Sequence, residues 1–349
     1  MWTLTNSFIF HALTQAKLLS YGYRTQIMNE EKLSSDEALL KGSFNTSGWD
    51  AYSRRAKVLS SPDAENWKSI DFPLEVAVEL TNFCNLRCVM CPVPNLKRKR
   101  GFMDERAFKK IVQDLLKESG FVFLPQGFGE SFLHPQWTQL VKFARSRQIK
   151  PIAVLTNGML LSGDKAVDVA ENADIVIVTL DGSTAETYES VRVNSSFERV
   201  TRNVKNLLRM RGNLDLPHCV IRIIRMQDTE TEIEAFRMYW SNEIGKGDII
   251  QVSECIDWAG SIRYRGVNKD REQTKRHPCR MLWKNLTVYH DGRVSPCCYD
   301  AEGELTVGSI LNQSLREIWN GPSLTDVREL HLSYQFEKIP ICSRCRNWQ

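Results

Sequence analysis

No stretch of this sequence is apolar for long enough to cross a bilayer. The nearest candidate, Met1–Tyr23, carries Trp2, Phe8, Ile9, Leu13, Leu18 and Leu19, but Asn6, Ser7, His11, Gln15 and Lys17 interrupt it. It lacks a basic leader ahead of an apolar core and so does not read as a secretory signal. An amphipathic helix packed on the body or on a partner is the expectation there. Charge of one sign is lacking as well. Against 46 basic residues stand 42 acidic ones, a formal net charge of +4, which gives no argument for nucleic acid as a partner. A disulfide framework is also missing. The ten cysteines fall in short motifs without a secretory signal, which points to metal ligation in a reducing, cytoplasmic compartment. What remains is an ordinary globular composition, 42% apolar and 25% charged, over 349 residues. That length holds a barrel of about 200–250 residues plus a smaller unit.

The most informative stretch is Thr81–Pro92, T-N-F-C-N-L-R-C-V-M-C-P, directly after the alternating run Leu74–Leu80. Cys84, Cys88 and Cys91 stand in C-x3-C-x2-C spacing. Three thiolates in one loop can hold three corners of an iron–sulfur cube and leave the fourth iron without a protein ligand, whereas a structural cluster is closed by a fourth cysteine. Zinc is the competing reading, but a structural zinc takes four ligands and no fourth stands nearby.

This spacing resembles the signature of the radical S-adenosylmethionine (SAM) superfamily. The family's usual aromatic residue before the third cysteine is replaced by Met90. The resemblance implies a [4Fe–4S] cluster whose open iron holds SAM, one-electron cleavage of the sulfonium, and a 5′-deoxyadenosyl radical that takes hydrogen from the substrate.

Residues 1–72 read as a helical extension with polar joints at Ser34–Asp36 and Ser60–Asp63 and no recognisable chemistry. From Leu74 onward short apolar strands alternate with amphipathic helices, the pattern of βα units and a parallel sheet. Strands are expected at Leu74–Leu80, Phe121–Phe128, Pro151–Leu155, Ile175–Leu180, Cys219–Ile224 and Ile249–Glu254. Helices are expected near 104–118, 135–147, 197–210 and 232–240, the first capped by Asp104. The fold class is α/β. Six such repeats resemble the partial (β/α)6 TIM-like barrel of radical SAM enzymes, here over residues 73–260, with chemistry at the carboxyl ends of the strands.

The strand ends carry the remaining candidates. G-F-G-E-S at Gly127–Ser131 resembles the family's GGE motif, with Gly129 allowing close backbone approach and Glu130 accepting from the SAM ammonium. Thr179 and Asp181 in V-T-L-D-G resemble a segment near the SAM ribose, and read without the family they are a buried threonine and a turn aspartate. Asn157 in T-N-G is a turn residue or a polar contact at the mouth. Arg222 and Arg225 alternate to opposite faces of their strand, and Arg222 is the candidate for the SAM carboxylate. The basic run Lys97–Arg100, K-R-K-R, lacks interleaved aromatics and reads as a solvated loop.

A second cysteine set, Cys279, Cys297, Cys342 and Cys345, is spaced C-x17-C-x44-C-x2-C, with a hairpin expected to turn at Asp291-Gly292. Four thiolates suit an iron–sulfur cluster or a structural zinc. The opening C-x12-G-x4-C resembles SPASM and twitch domains, which implies an auxiliary [4Fe–4S] cluster within residues 261–349. The full seven-cysteine SPASM pattern is absent. Cys298 follows Cys297, and neighbouring side chains of a strand point apart, so one of the two binds and the glycine spacing favours Cys297.

The four-cysteine layout is similar to that of the radical SAM aminocyclitol dehydrogenase of butirosin biosynthesis. That resemblance implies oxidation of a secondary alcohol in a sugar-like or aminocyclitol molecule, the auxiliary cluster accepting an electron and Glu254 or Asp257 taking the proton. The rivals are a peptide maturase forming a thioether, a carbon–carbon link or an epimer, a non-catalytic metal-binding or electron-carrier protein, and an RNA-modifying enzyme. A flavodoxin- or ferredoxin-type protein is the electron donor to expect, with a small molecule or a peptide as substrate.

Overall fold

The computed structural model describes residues 41, 43–262 and 276–347. The amphipathic helix expected at Met1–Tyr23 lies outside them.

Runs of buried apolar residues make the strands. β4 (Ile175–Thr179, I-V-I-V-T) is buried at every position, as a strand flanked on both sides and covered on both faces must be. It lies in a parallel sheet of order β3 (Ala153–Thr156), β4, β5 (His218–Arg225), β6 (Ile249–Glu254). β1 (Glu75–Val78) and β2 (Val122–Leu124) form a second parallel pair. One parallel bridge, Phe123 to Ile152, joins the two sheets. Six parallel strands thus form an open arc, the partial barrel expected from the alternation.

The helices follow their apolar faces. In α2 (Glu105–Leu115) the buried residues are Phe108, Ile111, Val112 and Leu115, one stripe at i, i+3, i+4 and i+7. Each is worth about 2 kcal/mol in burial. The Asp104 side chain accepts from the Arg106 N–H at the start of the helix, worth about 1 kcal/mol. α3 (Trp137–Ser146), α6 (Phe197–Arg211) and α7 (Ile233–Ser241) also lie where the periodicity puts them.

Two helices of the barrel were not legible. α4 (Asp164–Asn172) turns Asp168 and Asn172 inward, so its buried face looks polar in the sequence. Asp168 is satisfied there by the Thr138 hydroxyl at 2.6 Å and the Lys142 ammonium at 2.7 Å. α5 (Ala185–Val191) is short and buries only Tyr188 and Val191.

The C-terminal hairpin forms at the expected place, between β7 (Asn285–Val288) and β8 (Arg293–Ser295), and Gly292 supplies φ +87° in the turn. It does not stand apart from the barrel. β7 pairs in parallel with β1, Val76 opposite Leu286, and β9 (Gly308–Ser309) continues the same sheet. All four β7 residues are buried, which suits a strand covered on both faces. Beyond it come α8 (Leu315–Trp319), α9 (Pro322–Leu332) and α10 (Pro340–Arg344).

The described part of the extension packs at the end of the barrel opposite the cysteine loop. α1 (Thr46–Leu59) sends Arg55 to the carbonyls of Ser119 and Gly120, just ahead of β2. Trp67 meets Trp283 edge-on, with ring centroids 5.3 Å apart, and the Trp319 indole donates to the Ile70 carbonyl. This segment therefore joins the barrel floor to the C-terminal helices.

The K-R-K-R run corrects one expectation, because its two arginines are not solvated. Arg98 forms a two-pronged ion pair with Glu79, which is fully buried at the end of β1. His290 Nδ1 lies 2.8 Å from the same carboxylate. Burial alone would raise the Glu79 carboxyl, but hydrogen bonds from His290 and Arg98 outweigh it and hold it below its ordinary range. Arg100 donates to the carbonyls of Asn82 and Val93. A buried carboxylate needs a cation, and the loop folds back to supply it.

Candidate functional site

The cysteine loop leaves β1 at its carboxyl end and is held from four directions. At its start the Thr81 hydroxyl donates to Gly101 O at 2.7 Å, and Asn82 bonds both Lys99 O and Gly101 N at 2.9 Å. On its far side the backbone pairs with the end of α5 and the residues just beyond it, Val89 N to Val191 O and Arg87 N to Val193 O, both 3.0 Å. From the β2 end, Glu130 N donates to Phe83 O at 2.8 Å, and from beyond β6 the Trp258 indole donates to Met90 O at 2.8 Å. A loop pinned at residues 81–83, 87, 89 and 90 presents its thiols with little freedom.

Cys84, Cys88 and Cys91 lie close enough to raise one another electrostatically. Burial pushes the Cys84 thiol up to about 11 and the Cys91 thiol up to about 12. They become thiolates only where a metal's charge replaces their protons. A cavity of about 450 Å³ opens beside Cys88 and Cys91, bordered by Arg87, Asn95 and Ser261. Among the described residues no three or more Cys, His, Asp or Glu side chains are arranged to hold a single ion. Three soft donors on one rigid loop beside an open cavity fit a multi-iron cluster with an exposed corner.

Three of the candidate SAM residues, Gly129, Glu130 and Asn157, lie against this loop. Gly129 adopts φ +106°, and a Cβ there would stand 2.6 Å from the carbonyl oxygens of Thr81 and Phe83. The glycine is thus required for packing on the cysteine loop itself. Glu130 is buried, accepting from the Thr156 hydroxyl and the Asn157 N–H, each at 2.9 Å, and burial lifts its carboxyl to about 7. The Asn157 amide donates to Asn85 Oδ1 at 2.9 Å and stands 4.0 Å from Cys84 Sγ.

Asp181 is fully buried, accepts from Ile224 N at 2.7 Å and pairs with Arg192 at 2.6 Å. Thr179 is buried at the end of β4, in register with Arg222 on β5. Arg222 donates to Gln251 Oε1 at 2.6 Å. Burial lowers it to about 10, against the opposing pull of Asp181 and Glu75. Those carboxylates sit on separate arms of the arc, so Arg222 points into the barrel. Arg225 faces the other way and pairs with Glu230 and Glu254.

The base candidates are placed elsewhere. Glu254 is engaged by Arg225 at 3.3 Å. Asp257 is buried against the Asn347 amide beside the C-terminal thiols, and burial raises its carboxyl. Neither is among the residues bordering the cavity at the cysteine loop.

Arg192 escaped the sequence reading. Its guanidinium grips Asp181 and places Nη1 3.8 Å from Cys88 Sγ. Its sequence context, V-R-V after a short helix, matches no motif, and only the strap formed with the cysteine loop brings it to the site. Trp258 was missed for the same reason. It bridges Met90, the Phe128 ring at 5.6 Å and the Tyr299 ring at 6.1 Å.

The second cysteine set also converges. Cys279, Cys297, Cys342 and Cys345 line one enclosed cavity together with His331, Tyr299 and Asn347. The hairpin brings Cys297, the turn before Arg280 brings Cys279, and α10 brings Cys342 and Cys345. Burial raises the thiols of Cys297, Cys342 and Cys345 as well, Cys342 to about 12. Cys298 lines a different cavity with Glu75, Asn285 and Thr287.

Comparison with known proteins agrees with this layout. Residues 78–237 match the Radical SAM superfamily, and residues 279–346 match SPASM, an iron–sulfur cluster-binding domain. The antilisterial bacteriocin subtilosin biosynthesis protein AlbA of Bacillus subtilis is 25% identical over 284 residues, 72% of this chain and 60% of AlbA. The mycofactocin maturase MftC of Mycobacterium tuberculosis is 31% identical over 141 residues, 40% of this chain and 36% of MftC. The chain thus spans less than two thirds of the length of either relative. Among solved structures, BtrN in complex with AdoMet and 2-DOIA superposes with a TM-score of 0.55 at 18% identity, covering 79% of this chain and 94% of BtrN. Streptococcus suis SuiB bound to its precursor peptide SuiA gives a TM-score of 0.62 at 14% identity, covering 90% and 76%. These two likenesses concern the fold.

Proposed function

We propose that this chain, a radical SAM enzyme with a C-terminal SPASM iron–sulfur domain, modifies a peptide by removing hydrogen from one of its carbons. The observation that carries this reading is the likeness to AlbA, which runs through 72% of the chain rather than through the barrel alone. It displaces the aminocyclitol alcohol as the preferred substrate. Alcohol oxidation stays as the second reading, because nearly the whole of BtrN, 94%, is covered by this fold.

When bound, the cluster and SAM supply an electron and a 5′-deoxyadenosyl radical able to take hydrogen from carbon. Cys84, Cys88 and Cys91 are the residues to hold that cluster, and the backbone strap at Arg87 and Val89 keeps their loop fixed. Glu130 accepts from the Thr156 hydroxyl, the Asn157 N–H and, at 3.5 Å, the Phe132 N–H, which leaves a lone pair for the SAM ammonium. Arg192, beside Cys88, is better placed than Arg222 for the SAM carboxylate, since Arg222 is turned toward Gln251. Arg87, Asn95 and Ser261 border the cavity where substrate would enter. Cys279, Cys297, Cys342 and Cys345 are the residues to hold the auxiliary cluster, an acceptor for the electron left after hydrogen removal.

The test is anaerobic incubation of reconstituted enzyme with SAM, a reductant and short peptides encoded beside the gene. The result expected is 5′-deoxyadenosine together with a peptide lighter by two hydrogen atoms for a cross-link, or of unchanged mass with an inverted centre for an epimer. A ketone formed from an aminocyclitol, with every peptide untouched, would reverse the order of the two readings.

A further inference from the structure

His331 belongs to no motif, yet it sits among the C-terminal thiols at the end of α9 and is 1% exposed. The backbone N–H of Cys279 donates to its Nδ1 at 3.2 Å. Only a bare ring nitrogen can accept that hydrogen, so the proton of the neutral ring resides on Nε2. Nε2 faces Cys342 Sγ at 3.4 Å, within reach of a hydrogen bond to sulfur. The ring is held edge-on by Phe336, with centroids 5.0 Å apart, and the Arg276 guanidinium lies over the Phe336 ring at 4.4 Å and borders the same cavity. One imidazole thus connects the backbone of one candidate ligand to the sulfur of another.

The geometry points to His331 as a positioning residue that donates an Nε2–H hydrogen bond to the Cys342 thiolate and thereby raises the reduction potential of the auxiliary cluster. The physical reason is charge. A cluster gains negative charge on reduction, part of it on the ligand sulfurs, and a donor aimed at one of them favours the reduced form. Such a donor makes the cluster a better electron acceptor, which the cross-linking form of the proposed reaction requires, since there the second hydrogen leaves as a proton and an electron. The inference rests on the assignment of the four C-terminal thiols to an iron–sulfur cluster.

The test uses the full chain with Cys84→Ala, Cys88→Ala and Cys91→Ala, so that iron reports on the C-terminal site alone. Iron content and an electron paramagnetic resonance redox titration are compared for that parent, for His331→Phe, which keeps a packed ring without a donor, and for His331→Gln, which restores an N–H. The result expected is equal iron in all three, a midpoint potential more negative in His331→Phe, and a return toward the parent value in His331→Gln. An unchanged midpoint in His331→Phe at full iron overturns the inference. Loss of iron from His331→Phe, alone or together with His331→Gln, also overturns it, because the ring would then hold the cluster rather than tune it. A parent without iron would instead defeat the cluster assignment itself, and the inference with it.

Discussion

Cys297 and Cys298 are consecutive in the chain and open onto different cavities. Cys297 shares one with Cys279, Cys342 and Cys345, and Cys298 lines another with Glu75, Asn285 and Thr287. Cys297→Ser is therefore expected to lose about four irons per chain after anaerobic reconstitution, the content of one cube. Cys298→Ser should keep them. Iron and sulfide analysis of the two variants checks this, and equal loss from both would contradict the division of roles.

Removing the Arg192 charge leaves Asp181 buried without its partner. Breaking a buried pair in this way costs about 3–5 kcal/mol. Arg192→Leu should lower the thermal midpoint sharply and impair SAM cleavage, while Arg192→Lys, which keeps the charge but not the fork, should fall between. Calorimetry and 5′-deoxyadenosine yield measure the two effects.

Gly129→Ala places a methyl group 2.6 Å from two backbone oxygens at a φ of +106°. Backbone on both sides leaves no cheap relaxation. The variant is expected to lose iron from the Cys84–Cys88–Cys91 site while keeping it at the C-terminal site. Iron counts in the presence and absence of the loop cysteines separate the two. Full retention of iron at the loop would mean that the Phe83–Gly129 approach is not needed to shape it.

Glu130 predicts a pH dependence. Burial raises its carboxyl from 4.5 to about 7, so the folded chain holds the proton more tightly than the unfolded chain does. The stabilising contribution of the neutral acid is complete below the ordinary value of 4.5 and is lost as pH rises through about 7. At roughly 1.4 kcal/mol per unit it amounts to at most about 3 kcal/mol. Glu130→Gln cannot ionise, so without SAM the wild-type chain should lose stability relative to this variant as pH rises from about 5 to about 8. Urea unfolding across that range checks the sign, and parallel curves would refute it.

Trp258 is the fastening between the cysteine loop and the segment beyond β6. Trp258→Phe removes the hydrogen bond to Met90 O and trims the bicyclic ring to a smaller one, and should cost about 1–2 kcal/mol. Trp258→Ala also empties the space between Phe128 and Tyr299 and should cost about 3–5 kcal/mol. Chemical denaturation of the two variants checks this order, and equal losses would contradict a packing role for the ring.

Much of this protein is determined by the sequence alone, because the signals are local. The strand–helix alternation from Leu74 onward reports which side of each element is buried. C-x3-C-x2-C on one loop needs no long-range contact to be recognised, and the Asp291-Gly292 turn and the Asp104 cap declare themselves within a few residues. The polar inner face of α4 hid that helix, since a buried aspartate mimics a solvated one until its partners Thr138 and Lys142 are seen.

Only the tertiary structure decided what distance along the chain conceals. It folded Arg98 back onto Glu79, set Arg192 beside Cys88, 104 residues away, placed His331 between Cys279 and Cys342, and added β7 to the barrel edge at β1. A charge or a ring nitrogen acquires its meaning from the group it faces, and which group that is depends on how the whole arc closes around the buried core.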